Sequence, residues 1–477
     1  MTLKQQTISG IKWTSISAIV LAAILFLQQV LLAHFFLTKD EFGAMAILLV
    51  IIGFANIFID MGVSNAIIYK QDITNSQLSG LYWLNIFSGF IFFIIISSIS
   101  PLIVMFYSKV QIHAHYIIII SLSFVITSVS RQFRILLQKN LLFKNISIIE
   151  ITAAAISFAF CMYLAYIGKG IYSLIFSTVL NSLIQAIMLF IIGIKIHKPK
   201  FTYHHKELKE FFGFGRFQMG GNIINYFFTQ IDTLLIGKFL GGDVLGLYTI
   251  AKTLVMAPIQ LINPIITKVT FPVMSKMQDN ALALKNIYLK TLNYLSSINF
   301  PIYTMLLILA QPVIIIVYGP KWVDATYILQ VLSVTFLIRS TGNPVGALLY
   351  AKGRADLVFY WVLSLIFVIP VGIFIGSLWG INEVCYALLI LQIVLHYPSY
   401  HFLIKKIIPV SFLDYNLNLA KPLLFSVIAG CLSFFWVFIV TDNYLKIAFV
   451  LATGGFIYAC MNYFFNKNII KALKEFK

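Results

Sequence analysis

Residues 211–240 read FFGFGRFQMGGNIINYFFTQIDTLLIGKFL. The stretch is long and apolar enough to cross a bilayer. It also carries a line of polar side chains: Gln218, Asn222, Asn225, Thr229, Asp232 and Thr233. The steps alternate between three and four, which lays them along one face of a helix. Arg216 stands near the start of that helix and Lys238 near its end. At about 1.5 Å per residue, Arg216 and Asp232 lie roughly 24 Å apart along the axis. Polar groups are costly in hydrocarbon, so this face is expected to look onto other helices or a water-filled cavity. Asn and Thr also serve as glue between membrane helices. Glue needs one or two such residues, whereas this line runs the length of the span.

The rest of the chain has the same character. Of its 477 residues 60% are hydrophobic and 10% charged, and mean hydropathy is +0.94. That composition belongs to a polytopic membrane protein. Fourteen spans are expected, at 11–37, 42–67, 80–106, 115–137, 147–167, 171–195, 212–238, 244–268, 290–318, 324–350, 355–379, 382–404, 417–440 and 444–466. The fold class is therefore all-α. The N-terminal stretch MTLKQQTISGIKW leads into a full-length span and reads as a retained first helix.

Lysine and arginine orient the bundle. Most of the 34 fall in one set of connections, and only Lys39, Lys109, Lys169, Lys238, Lys321 and Lys446 fall in the opposite set. The positive-inside rule then places both termini in the cytoplasm. The net charge of +18 sits beside anionic headgroups and calls for no nucleic acid. Three inner-face segments read as interfacial: Lys206–Phe212, the tail from Ile469 to Lys477, and Phe412–Leu419, the last equally readable as a plain linker.

A weak repeat runs through the chain. FLTKDEFGAMAI at Phe36–Ile47 aligns with FLGGDVLGLYTI at Phe239–Ile250, pairing Asp40 with Asp243 and Gly43 with Gly246. SPLIVMFY at Ser100–Tyr107 aligns with QPVIIIVY at Gln311–Tyr318. Six spans per repeat give a parallel repeat whose pseudo-twofold axis follows the membrane normal. The expected organisation is a six-helix lobe at 1–200, a second at 201–408, and two helices with an amphipathic tail at 409–477. Carried back to the first lobe, the polar line becomes mostly apolar, so polar recognition is expected mainly from the second.

Several stretches together resemble a known family. They are QIDTLLIGKFLGGDVLGLYTIAKTL at Gln230–Leu254, GIKWTSIS at Gly10–Ser17, DEFGAMAI at Asp40–Ile47, DMGVSNAIIYK at Asp60–Lys70, FGFGRFQMGGNIINYF at Phe212–Phe227 and FPVMSKMQDN at Phe271–Asn280. The chain resembles the polysaccharide-transporter branch of the multidrug/oligosaccharidyl-lipid/polysaccharide (MOP) flippases, close to the O-antigen flippases and the colanic-acid exporter. The resemblance implies a V-shaped, MATE-like fold of two six-helix bundles plus two trailing helices. It implies a bacterial inner-membrane protein that moves an undecaprenyl-pyrophosphate-linked oligosaccharide repeat unit, for O-antigen, exopolysaccharide or capsule, from the cytoplasmic to the periplasmic leaflet. Partners on that reading are the lipid-linked oligosaccharide, membrane lipids, and polysaccharide polymerase and chain-length proteins.

Such a substrate has an anionic diphosphate, a sugar head and a polyprenyl tail. It calls for cations, for amides and hydroxyls, and for an apolar path. Arg216, Lys252, Arg339, Arg131 and Arg134 are the candidate cations, and Asn222, Asn225 and Thr229 the candidate polar wall. Arginine suits phosphate because its guanidinium donates in two parallel prongs; snorkelling or pairing with an acid are the other readings of a cation in a span. Asp232 and Asp60 are candidates for ion coupling or gating, since a buried carboxylate can exchange a proton or help hold sodium, although a structural ion pair explains them as well. Gly220, Gly221, Pro258, Pro264, Pro301, Pro344 and Pro370 are expected bend points.

No cofactor is expected beyond a proton or sodium gradient. Cys161, Cys385, Cys431 and Cys460 are scattered through apolar segments, and His113, His115, His204 and His205 have no acidic cluster beside them. A phosphate-binding glycine loop is absent, which argues against an ATP-driven pump. The rival readings are a cation-coupled multidrug exporter of the same superfamily, expected to have an acidic cavity, and a membrane-embedded polymerase, ligase or acyltransferase, expected to have longer outer connections. Neither calls for this set of span-embedded cations, and no enzymatic activity is expected.

Overall fold

The structure, a computed structural model, describes residues 3–60, 63–70, 72–201 and 205–465. Side chains at 3, 4, 6, 7, 60, 63, 65, 205–210, 212–218 and 343 are also outside the description, as is the tail from 466. The interfacial reading of that tail therefore lies outside the described residues; in Lys206–Phe212, which is helical, only the Phe211 side chain is described, and it is buried in a cluster with Ala66, Ile67 and Leu81.

Helices follow one another with short connections. They are α1 (Leu3–Leu31), α2 (Lys39–Asp60), α3 (Val63–Tyr69), α4 (Asn75–Phe106), α5 (Ala114–Lys139), α6 (Phe143–Tyr166), α7 (Tyr172–Gly193), α8 (His205–Leu240) and α9 (Gly242–Lys276). They continue as α10 (Ala281–Ile308), α11 (Ala310–Tyr318), α12 (Ala325–Arg339), α13 (Asn343–Ala351), α14 (Ala355–Ser377), α15 (Ile381–Val394), α16 (His396–Ser399), α17 (Phe412–Ile439) and α18 (Asn443–Phe465). No strand occurs among the described residues.

Among the described residues eleven helices are long and apolar enough to cross a membrane, or twelve if α10 and α11, bent by 78° at their junction, count as one span. Of the fourteen expected spans, those at 212–238 and 324–350 are not among these; α8, which carries the polar line, lies at the first, and α12 and α13, separated by Ser340–Gly342, lie at the second. Outward faces are greasy: Phe87, Leu102 and Met105 on α4, Phe367 and Val371 on α14, and Phe435 and Phe438 on α17 are all exposed. In water such faces would aggregate; in a bilayer they meet lipid tails.

Local chemistry explains where helices start and bend. The Thr74 hydroxyl accepts from the Gln77 N–H at 3.2 Å, and the Gln77 amide oxygen accepts from the Thr74 N–H at 3.2 Å, a reciprocal cap on α4. Ser411 caps α17, accepting from the Asp414 N–H at 3.0 Å. Phe412–Leu419 is thus the first two turns of α17, with Tyr415 and Leu419 buried in the core. That corrects the surface-helix and linker readings. The buried pattern won because Tyr415 and Leu419, four apart, face Tyr288, Leu292 and Ile404. Pro344 lies in the first turn of α13, after a break, where a missing N–H costs nothing. The repeat-matched segments diverge here. Around Pro101 α4 runs on unbroken, whereas α10 and α11 turn by 78° at Leu309.

Contacts group the chain into two compact units, Met1–Gly246 and Leu247–Lys477. α8 groups with the first unit because it packs on α2, α3 and α4. Within the first unit, Gly43 on α2 lies against the Gly242 carbonyl, and Gly246 on α9 lies against the Lys39 carbonyl. Shifted by the repeat, Gly43 becomes Gly246 and Lys39 becomes Gly242, so the second contact is the first with its partners exchanged. The local crossing is twofold-symmetric, as the aligned motifs require, and only glycine lets the backbones approach so closely. Gly241, at φ +92°, makes the tight turn from α8 into that crossing, and its neighbour Gly242 donates its N–H to the Lys109 carbonyl at 3.2 Å.

Candidate functional site

The polar line divides along α8 according to what covers it. Gly220 and Gly221 face open space, where an added methyl would meet nothing within 4 Å. Asn222 and Asn225 are exposed. Thr229 is half-buried and donates its hydroxyl to the Tyr226 carbonyl at 2.9 Å. Asp232 is half-buried, and its Oδ1 accepts the Thr233 N–H at 2.7 Å. The line therefore begins as open amides and ends as groups bonded to their own helix. Arg216 lies on helical backbone of α8, and Asp60 is the last residue of α2; both side chains lie outside the described residues.

The helix is held in place from one side. The Tyr226 hydroxyl donates to the Val50 carbonyl on α2 at 2.8 Å. Gly53 makes room for that ring, since a methyl there would overlap the Tyr226 hydroxyl. Phe54 and Phe227 meet edge to face with ring centres 5.2 Å apart. Near the other end, Lys238 Nζ donates to the Phe106 carbonyl at 2.6 Å and Lys109 Nζ to the Phe239 carbonyl at 2.7 Å. These lysines satisfy the last carbonyls of α4 and α8, which lack partners within their own helices.

The predicted cations fall in different settings. Arg131 and Arg134 lie one turn apart on α5, both half-buried. Arg134 Nη2 is paired with Glu150 Oε1 on α6, and the Ser17 hydroxyl on α1 donates to Glu150 Oε2 at 3.2 Å. In the second unit Lys252 is half-buried with Nζ 5.9 Å from the Tyr248 ring centre. Arg339 is exposed at the last residue of α12, its Cζ 5.3 Å from the Phe336 ring centre. A cation there complements the negative end of the helix. Arg131 and Arg134 share a helix in the unit that holds α8; Lys252 and Arg339 belong to the other unit.

Sequence reading missed Glu150. It lies inside the expected fifth span, so the signal was available: an acid in a membrane helix needs a cation. It also missed a pair of sealed amides in the second unit. Asn299 Nδ2 donates to Asn263 Oδ1 at 3.0 Å, and Asn263 Nδ2 to the Ser340 carbonyl at 3.4 Å. Both asparagines are fully buried. They link α9 and α10 to the break after α12.

The second unit also contains an apolar groove of about 410 Å³ between α10, α12 and α17, lined by residues that include Tyr303, Leu307, Ile338, Val427, Cys431 and Phe434. Its walls suit hydrocarbon and offer a charged headgroup nothing. Among the described residues no group of three or more His, Cys, Asp or Glu is placed to hold a metal ion. The His113 and His115 rings stack at 5.3 Å, and His115 Nε2 lies 2.7 Å from the Tyr172 hydroxyl.

The described residues thus form an all-helical, multi-pass membrane protein with an open amide face on α8 and an apolar groove in the second unit. The fold agrees: the chain is similar to the lipid II flippase MurJ in an inward closed conformation, with TM-score 0.75 and 16% identity over 96% of this chain and 99% of that one. It is also similar to an inward-facing MATE multidrug transporter of the MOP superfamily, with TM-score 0.61 and 13% identity over 82% and 98%. The sequence goes further. Residues 31–327 match the polysaccharide biosynthesis protein family, and the chain belongs to that family. It is 31% identical to the teichuronic acid biosynthesis protein TuaB of Bacillus subtilis over 463 residues, 96% of this chain and 95% of TuaB. It is 32% identical to the lipopolysaccharide biosynthesis protein WzxC of Escherichia coli over 423 residues, 88% and 86% of the two.

Proposed function

We propose that this protein is a lipid-linked oligosaccharide flippase, a transporter and not an enzyme. It carries a polysaccharide repeat unit on undecaprenyl pyrophosphate from the cytoplasmic to the periplasmic leaflet by alternating access. The observation that carries the reading is the open amide face of Asn222 and Asn225 on a helix of a chain whose outward faces are otherwise apolar. Amides in that position hydrogen-bond a sugar head that hydrocarbon rejects. The groove at Cys431 and Phe434 takes the hydrocarbon of the carrier. Family membership and the relatives' roles in polysaccharide biosynthesis support the same substrate class.

On this reading the protein lies in a bacterial inner membrane with both termini in the cytoplasm, and polysaccharide polymerase and chain-length proteins are its partners. The transport lobes follow the repeat, 1–200 and 201–408, with 409–477 appended. Arg216, Arg131, Arg134, Lys252 and Arg339 are the candidate diphosphate contacts, and Asp232 and Asp60 couple transport to a proton or sodium gradient. The deciding experiment is a leaflet-sidedness assay: fluorescent lipid-linked oligosaccharide in proteoliposomes, its accessibility followed with and without the protein. Protein-dependent exposure on the far leaflet is the expected result, faster under an imposed ion gradient. Equal exposure in empty vesicles sinks the reading.

A further inference from the structure

We propose that Glu150 is the positioning residue for Arg134, an internal counter-ion that holds the guanidinium until the diphosphate of the substrate displaces it. The inference rests on the flippase reading above and assigns a role to a residue outside the expected site. Three helices meet at this carboxylate. Glu150 Oε1 takes Arg134 Nη2 from α5, and Oε2 takes the Ser17 hydroxyl from α1. Ser17 is buried, but the pair is not sealed: 40% of the Arg134 side chain and 18% of the Glu150 side chain are accessible. A guanidinium has five N–H donors. Glu150 takes one Nη2–H, and the accessible remainder of the fork is where an entering anion first meets Arg134 before it displaces the carboxylate.

Charge explains why the bridge is an exchange site. Arg131 and Arg134 are neighbours on one face of α5, about 5–6 Å apart at Cβ. Two adjacent cations suit a diphosphate and repel each other without an anion between them. Glu150 offsets the Arg134 charge when no substrate is present. A diphosphate at Arg134 repels the Glu150 carboxylate and competes for the same Nη2 edge, so bridge and substrate exclude each other.

The competition has a use in transport. A site that gripped the diphosphate equally well throughout the cycle would hold it at the far leaflet. A resident carboxylate weakens binding and takes back the arginine as the substrate leaves. Ser17 keeps the carboxylate within reach while it is displaced. The start of α1 is independently tied to α6, where the Ser147 hydroxyl donates to the Trp13 carbonyl at 3.0 Å and Lys144 Nζ lies 5.6 Å from the Trp13 ring centre. The loss of the Arg134 bridge therefore leaves α1 seated.

The test uses the purified full chain in nanodiscs, with inorganic pyrophosphate and geranyl pyrophosphate as probes. Glu150→Gln is expected to bind both about fivefold more tightly than the natural protein, the scale of a partly exposed ion pair. Glu150→Asp restores ordinary affinity. Arg134→Gln weakens binding alone and abolishes the gain when combined with Glu150→Gln. In the leaflet assay Glu150→Gln lowers both KM and kcat, because substrate enters easily and leaves slowly. A merely structural Glu150 would lower thermal stability without tightening either probe. Unchanged or weaker pyrophosphate binding by Glu150→Gln overturns the proposal. Should that variant fail to fold, Arg134→Gln binding pyrophosphate like the natural protein overturns it equally. Flipping by the natural protein with no gain in Glu150→Gln refutes the counter-ion alone; no flipping by the natural protein refutes the flippase reading beneath it.

Discussion

Two pairs of asparagines in this protein sit in opposite settings. Asn222 and Asn225 on α8 are exposed, beside glycines that face open space. Asn263 on α9 and Asn299 on α10 are fully buried and bonded to each other and to the Ser340 carbonyl. The residue type is the same, and so is the apolar helical context. The difference is coverage. An amide in a membrane helix is accessible to a ligand where nothing packs on it, and ties helices together where everything does. Both buried Nδ2 groups are paired, which offsets part of the cost of burying the amides, while Asn299 Oδ1 has no hydrogen-bond partner; the sealed pair is a packing device.

The sealed pair is where the largest loss is expected. Asn299→Ala leaves Asn263 Oδ1 without its donor inside the core and should lower stability by about 2 kcal/mol, read as detergent-stable yield and unfolding midpoint, with flux per folded molecule near normal. Normal stability in this variant would erase the contrast between the two pairs. Next comes the seat of α8. Gly53→Ala drives a methyl into Tyr226 and should cost about 1–2 kcal/mol, with Tyr226→Phe in the same background recovering part of it by removing the overlapped hydroxyl.

The open pair should behave in the reverse sense. Asn222→Ala with Asn225→Ala should slow flipping about tenfold, the scale of two lost hydrogen bonds, while the melting point stays within about 1 °C of the parent. A fall in stability with unchanged flux would show that these amides pack and do not recognise.

The smallest effect lies in the connection that precedes α8. His197 is buried, its Nε2 lies 3.4 Å from the Ser79 hydroxyl, and burial pushes its pKa below the ordinary imidazole value of 6.5. The folded form thus binds the proton less readily than the unfolded one. Stability is full above about pH 6.5 and declines as pH falls toward the depressed folded value. His197→Gln should flatten that decline in unfolding measured between pH 5 and pH 8.

Much of this protein is written in its composition and spacing. Apolar runs set the spans, since unpaired backbone in lipid leaves helix as the outcome. The three-and-four steps from Asn222 to Asp232 put a polar line on one face before any packing is known. Asp40 with Asp243, and Gly43 with Gly246, announced a repeat whose glycines then proved to cross symmetrically. All of these are local or periodic properties, and local geometry carries them.

What only the tertiary structure decided is which polar group is covered and by whom. Asn222 and Asn263 read alike in sequence, and their coverage depends on neighbours far along the chain. Arg134 read as one candidate phosphate ligand among five, and only the packing of α6 against α5 brought Glu150 to it. The bend at Leu309, the break at Ser340–Gly342 and the burial of Tyr415 at the start of α17 likewise depend on helices packed from elsewhere. Periodicity assigns a residue to a face of its own helix; the cost of desolvating that face is settled by whatever lies opposite.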